Sequence, residues 1–195
     1  AVDLDTDVML SILIDSHGSS RVSWIKNLGG STFGSPMEIL SSTAYAGTIF
    51  DLDVGDLDGD GDMDIVLATA LNISVMENTG SGQFLPMVTL YNDPNGSPFR
   101  VKLIDLDGDK SLDVIASVDR ASNGFQNQNV VLVNLSTHPF SHATPLYFST
   151  GNLISSFDGG DLDNDKDLDV ITISQSGNLE FFENAGNGVL SSLDT

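Results

Sequence analysis

Apolar positions fall in short, β-branched runs, and each run is followed by a second apolar-rich stretch that ends in an Asn. The first runs are Ile12-Leu13-Ile14, Ile65-Val66-Leu67, Val114-Ile115-Ala116 and Val170-Ile171-Thr172-Ile173. The second stretches are Val22-Ser23-Trp24-Ile25-Lys26-Asn27, Ile73-Ser74-Val75-Met76-Glu77-Asn78, Val130-Val131-Leu132-Val133-Asn134 and Leu179-Glu180-Phe181-Phe182-Glu183-Asn184. Runs this short, bounded by turn residues, predict strands, and no helical periodicity is present. Six residues beyond each Asn stands a large apolar residue: Phe33, Phe84, Phe140 and Leu190. Room remains for an outer strand, such as Met37-Glu38-Ile39-Leu40 or Met87-Val88-Thr89-Leu90-Tyr91. An inner strand leading into the next copy follows, such as Phe99-Arg100-Val101-Lys102-Leu103-Ile104 or Leu153-Ile154-Ser155-Ser156-Phe157.

Four short strands in a repeat of about 50 residues predict an all-β chain built of β-propeller blades. The whole of 1–195 reads as one repeat domain. Blade 1 covers 1–45 and lacks its inner strand, blades 2 and 3 cover 46–95 and 96–150, and blade 4 covers 151–195 and lacks its outer strand. The third repeat carries one insertion, residues 119–129, read as a polar hairpin tip.

Between the inner strand and the apolar run of each repeat stands a run of alternating carboxylates. The clearest is Asp56-Leu57-Asp58-Gly59-Asp60-Gly61-Asp62-Met63-Asp64. So many like charges in one turn repel unless a cation gathers their oxygens, and Ca²⁺, which takes six to eight oxygen ligands, suits the set. Asp56, Asp58 and Asp60 are expected to present side-chain oxygens, Asp62 its backbone carbonyl and Asp64 a closing carboxylate, with Gly59 and Gly61 permitting the tight backbone. An EF-hand would need a bidentate Glu at position 12 and flanking helices. Position 12 is Leu67, and a strand follows.

The loop recurs with ligand candidates Asp105, Asp107, Asp109, Ser111 and Asp113, and again with Asp161, Asp163, Asp165, Asp167 and Asp169; the starts lie 49 and 56 residues apart. A fourth copy, 53 residues before the second, offers Asp3, Asp5 and Asp7 but has Ser11 at its ninth position, so it is expected to bind weakly or not at all. Three calcium sites and one weak or empty one are the expectation.

The register of loop, strand, Asn and Phe resembles FG-GAP/VCBS repeats, the blades of integrin α-subunit heads and of many secreted bacterial and algal proteins. Asp-Leu-Asp-Gly-Asp-Gly-Asp-Met-Asp and the run from Arg21-Val22-Ser23-Trp24 through Asn27-Leu28-Gly29-Gly30 to Phe33 carry the resemblance, which covers nearly the whole chain. It implies a calcium-stapled blade with the ion held between the first two strands. Lys110 and Lys166 replace the usual Gly at position 6 and are expected to weaken their sites.

The formal charge is −21 in 195 residues, but 17 of 24 aspartates lie in the four loops, so the acidity is local. Seven Lys and Arg make no basic footprint, which excludes nucleic acid as a partner. Without cysteine there is no disulfide, zinc-thiolate or thiol chemistry. No apolar run approaches the roughly 20 residues of a membrane span. Calcium modules of roughly 10⁻⁴ to 10⁻³ M affinity work outside the cell, so an extracellular or cell-surface location is expected.

Nearly every carboxylate is claimed as a metal ligand, which leaves little for acid–base catalysis, and no enzyme is expected. His17, His138 and His142 read as surface residues and Trp24 as packing. The incomplete ends predict self-association by head-to-tail contact into a ring or filament, and the chain reads as a scaffold or adhesion module. The alternatives are a carbohydrate- or protein-recognition module with the 119–129 insertion as first candidate, or a fragment of a larger propeller such as a polysaccharide lyase. Asn72 and Asn134 head sequons for N-glycosylation.

Overall fold

The computed structural model describes residues 11–15, 21–30, 32–40, 47–80, 82–120, 128–132, 140, 146–148 and 154–192. Among them every regular element is a strand. In the first sheet β1 (Ser11–Asp15) pairs with β2 (Arg21–Ile25), and a small hairpin of β3 (Asn27–Gly29) and β4 (Thr32–Phe33) follows. With β5 (Met37–Leu40) the order is β1-β2-β5. The second sheet runs in chain order through β6 (Ile49–Gly55), β7 (Asp64–Thr69), β8 (Asn72–Met76) and β9 (Val88–Asn92). The third holds β10 (Ser97–Ile104), β11 (Asp113–Asp119), β12 (Gln128–Leu132) and β13 (Leu146–Phe148). The fourth holds β14 (Ile154–Gly160), β15 (Asp169–Ser174), β16 (Leu179–Asn184) and β17 (Leu190–Ser192). All pairings between sequential strands are antiparallel.

The unbroken apolar run of β7 is explained by burial on both faces. Ile65 and Leu67 point into a core shared with Val22 and Leu40 of the first sheet, while Val66 and Ala68 point into one shared with Val101, Val114 and Ala116 of the third. A third core joins Ile104 and Ile115 to Val170, Phe157 and Phe182 of the fourth sheet. The sheets therefore stack face to face in an open series, with each core lying between consecutive members. No closed ring is formed by the described residues.

Strands β6, β10 and β14 occupy the first position of their sheets, and each carries a bulge at the same place, at Phe50, Phe99 and Ser155. Beyond the bulge, alternate side chains reach across to the next sheet. Asp51 Oδ2 accepts from the Val101 N–H at 3.2 Å and Asp53 Oδ2 from the Leu103 N–H at 2.9 Å. In the following sheet Arg100 Nε donates to the Ser155 carbonyl at 2.9 Å and Lys102 pairs with Asp158. A second tie joins the outer parts of these sheets, where the buried Asp93 carboxylate accepts from Arg120 Nε at 2.6 Å and from the Tyr91 hydroxyl at 3.2 Å.

One sequence expectation is corrected by register. Ser11 pairs with Ile25, two residues before Asn27, just as Ile65 pairs with Met76, two residues before Asn78. Ser11 is therefore level with Ile65 and not with the closing Asp64. Asp3, Asp5 and Asp7 lie outside the described residues, as do Asn134, the three histidines and most of the 119–129 insertion.

Candidate metal centres

Each complete loop joins the first and second strands of its sheet: residues 56–63 join β6 to β7, residues 105–112 join β10 to β11, and residues 161–168 join β14 to β15. The backbone turns twice through left-handed conformations. Position 4 has φ of 80° at Gly59, 75° at Gly108 and 68° at Asn164; position 6 has 94° at Gly61, 75° at Lys110 and 86° at Lys166. Glycine adopts these angles freely, whereas lysine is strained there.

The carboxylates hold this turn together by accepting backbone N–H bonds. Asp56 accepts from Gly59 at 2.8 Å and Gly61 at 3.0 Å, Asp58 from Asp60 at 3.2 Å, and Asp60 from Asp62 at 2.8 Å. The second loop repeats the set with Asp105 bonded by Gly108 and Lys110, Asp107 by Asp109, and Asp109 by Ser111. In the third, Asp161 is bonded by Asn164, Asp163 by Asp165, and Asp165 by Asp167.

The closing aspartate is buried in all three loops. Asp64, Asp113 and Asp169 are at most 1% exposed. Asp64 Oδ2 accepts from Leu57 N–H at 3.0 Å and Oδ1 from Asn78 N–H at 2.8 Å. Asp169 accepts in the same way from Leu162 at 2.8 Å and Asn184 at 3.0 Å, and Asp113 from Leu106 at 2.9 Å. Burial drives the Asp64 carboxyl up to about 7, with the Asp58 and Asp60 charges adding to the rise and the two N–H bonds opposing it. In the exposed third loop the bond to Asp165 pushes Asp167 up to about 6, desolvation raises Asp163, and the same Asp167 bond lowers Asp165.

One oxygen from each of Asp56, Asp58 and Asp64 lies within 4.8 Å of the others, and the same holds for Asp105, Asp107 and Asp113 and for Asp161, Asp163 and Asp169. Oxygens bound to one ion at about 2.3–2.6 Å stand no farther apart than roughly twice that distance, so each trio could hold a hard cation and is compatible with calcium. A bonded carboxylate oxygen still has a lone pair to give. Positions 1, 3 and 9 are thus brought together. The side chains of Asp60, Asp109 and Asp165 at position 5 serve the turn as acceptors, and Asp62, Ser111 and Asp167 at position 7 lie outside the trios.

The flanking apolar positions tie each loop to the stacking of the sheets. Leu57 and Leu106 at position 2 are buried in the core shared with the following sheet, while Met63, Leu112 and Leu168 at position 8 pack on the preceding one. Trp24 is buried against Met63 and Phe84, which accounts for it as packing. The repeat Asn is more than a hairpin marker. Asn184 Nδ2 donates to the carbonyls of Leu168 in its own loop and Leu106 in the preceding one, and its Oδ1 accepts from Gly186 and Gly188. Its recurrence six residues before the Phe was the signal available in the sequence. Asn72, heading a sequon, opens β8, with its Oδ1 bonded by the Thr69 and Ser74 hydroxyls.

The FG-GAP-like repeat family model matches residues 3–67 and 56–116, more than half of the chain. The chain belongs to the FG-GAP-like repeat family. A search of curated proteins finds no match to this FG-GAP-like chain. Among solved structures, the fold is similar to that of an Agrocybe aegerita lectin described as specifically recognising non-reducing terminal N-acetylglucosamine. The TM-score is 0.59 at 19% identity, and the match covers 95% of this chain and 52% of the lectin chain. The FG-GAP-like chain thus spans about half the length of that lectin and shares its fold.

Proposed function

We propose that the chain is a non-enzymatic, extracellular scaffold or adhesion module of β-propeller blades, stapled by Ca²⁺ in its three complete loops and self-associating head to tail through its terminal sheets. The observation that carries this reading is the threefold convergence of one buried and two outer carboxylates on a single point, in loops whose position-8 side chains, joined in the first two by Leu57 and Leu106 at position 2, are wedged between sheets. Gathering each trio around a cation removes the mutual repulsion of its charges and locks the loop onto both neighbouring sheets. The ion is structural in this reading. A thermal melt tests this: each site adds about 1.4 kcal/mol at free calcium ten times its Kd, so the melt in millimolar calcium should stand well above that in chelator. Coincident melts would refute the staple.

A second reading, recognition of a carbohydrate or an extracellular protein, is favoured by the fold likeness to a lectin. A glycan array that includes terminal N-acetylglucosamine separates the two, since the scaffold reading expects no glycan signal.

A further inference from the structure

The carboxylate loops of successive sheets touch one another. Leu112, at position 8 of the 105–112 loop, lies on Gly55, the residue before Asp56: a β-carbon at Gly55 would stand 2.4 Å from Leu112 Cδ1. Leu168, at the same position of the 161–168 loop, shares a core with Leu106. Between these last two loops the contact is also polar, and it runs from one buried carboxylate to the other. Asp113 Oδ2 accepts from the Leu106 N–H at 2.9 Å, the Leu106 carbonyl accepts from Asn184 Nδ2, and the Asn184 N–H donates to Asp169 Oδ1 at 3.0 Å. Leu106 and Asn184, both buried, thus bridge the closing members of two carboxylate trios. Asn184 Nδ2 also donates to the Leu168 carbonyl at 3.0 Å, and its Oδ1 accepts from the Gly186 and Gly188 N–H groups at 3.1 Å. Both ends of the amide are engaged, which fixes the side chain on the bridge.

We propose, resting on the calcium staple set out above, that Asn184 is a positioning residue for two cation sites, its own and the one in the preceding loop. An ion in the 161–168 loop then tightens binding in the 105–112 loop. Held between Asp161, Asp163 and Asp169, the ion fixes Asp169 and with it the Asn184 backbone. Asn184 Nδ2 in turn holds the Leu106 peptide, whose N–H keeps Asp113 turned toward its own trio. A site whose carboxylate is already held binds more tightly, because the ordering it would otherwise undergo on binding has happened beforehand. Linkage makes the effect reciprocal, so either loop prepares the other. Charge alone works the other way, since an empty neighbouring trio attracts a second cation more strongly than a filled one. At about 0.15 M ionic strength that attraction is screened over about 8 Å.

Proton–nitrogen NMR spectra of the 195-residue chain, titrated with calcium at about 0.15 M ionic strength, read the sites separately. The reporters are the Gly59, Gly108 and Asn164 amides, which donate to Asp56, Asp105 and Asp161. Asn184→Ala breaks the bridge without changing the charge, whereas Asp163→Asn removes a ligand of its trio and leaves the bridge in place. Both variants are expected to weaken calcium binding at Gly108 at least about fivefold, the lower end of ordinary coupling between sites, while binding at Gly59 changes less than about twofold. Should Asn184→Ala fail to fold, Asp163→Asn decides alone. Equal weakening at Gly59 and Gly108 means a general loss of stability and overturns the positioning role. So does a Gly108 site indifferent to either variant, or one tightened by Asp163→Asn as charge alone requires. In each of these cases calcium binding at the parent loops leaves the staple standing. If none of the three parent amides responds to millimolar calcium, the staple falls and the coupling with it.

Discussion

The Asn78 N–H donates to Asp64 Oδ1 at 2.8 Å across fourteen residues of chain, so the hairpin that follows β8 grips the buried end of the carboxylate trio. Asn184 holds Asp169 identically at 3.0 Å. The Asn side chain then fastens the loop carbonyls and the next turn. Asn184→Ala is expected to strip the Leu168 and Leu106 carbonyls of a donor and the Gly186 and Gly188 N–H groups of an acceptor. The loss should be about 2–3 kcal/mol, read from denaturant unfolding in calcium. Asn78→Ala removes bonds to Met63 O and Gly80 N–H and should fall in the same range.

Asp64→Asn should change sign with calcium. In chelator at neutral pH the substitution removes a buried charge that burial and the Asp58 and Asp60 carboxylates disfavour, so the variant should melt at or above the parent. In calcium the parent gains an anionic ligand that the variant lacks, and it should melt above the variant by several degrees. Differential scanning calorimetry under both conditions reads the crossing.

Without divalent cation, stability should decline as pH rises. Asp64 titrates at about 7 in the folded chain against an ordinary 3.8, so between those values the folded state keeps a proton that the unfolded state has released. The stabilising contribution is complete below the ordinary value and is lost as pH climbs through about 7, at most about 4 kcal/mol over the window. Asp167, raised to about 6, acts in the same direction. On the proposed calcium staple, binding displaces these protons, so the stabilising effect of the ion should grow over the same interval. Urea midpoints measured from pH 4 to pH 8, with and without calcium, check both slopes.

Lys110→Gly and Lys166→Gly relieve left-handed backbone at φ 75° and 86°. Each should stabilise by about 0.5–1 kcal/mol, the relief of strain being offset in part by the freedom of glycine in the unfolded chain. Calorimetric titration should find tighter calcium binding at the altered loop. The reverse change, Gly61→Lys, should weaken both stability and affinity.

Asp53→Ala should leave the Leu103 N–H without its acceptor at the seam between the second and third sheets. A loss of about 1–3 kcal/mol is expected, and Asp53→Asn should recover part of it. Thermal unfolding of the two variants in calcium gives the comparison.

The apolar runs made β7 and β11 legible from sequence because a strand buried on both faces has no polar gap to blur its bounds, and β15 was legible by repeating their register. The loops were legible through strict alternation of carboxylates. What the alternation hid was the division of labour within a loop: Asp60 and Asp64 look alike in sequence, yet Asp60 bonds the turn and Asp64 alone is buried beneath it. The level of Ser11 was not legible because aspartate spacing is a local signal, whereas place in the sheet is set by pairing with Ile25 of β2. Nothing in the sequence marks out Asp51, Asp53, Arg100 and Lys102. Their work is across the seam, and a contact between sheets some fifty residues apart leaves no mark on local periodicity.

Because Ile65 and Val66 are neighbours in sequence but belong to different cores, the second sheet couples two interfaces through a single strand. Such a stack behaves as a one-dimensional chain of units, each stabilised by its own hydrogen bonds and by coupling to its nearest neighbours. Cooperativity then decays from the middle outward. Amide hydrogens of β7 and β11, flanked on both sides, should exchange most slowly, and those of β15 and β16 should open earlier. Among the described residues the first and fourth sheets, each coupled to a single neighbour, are thus the units at which the stack begins to come apart.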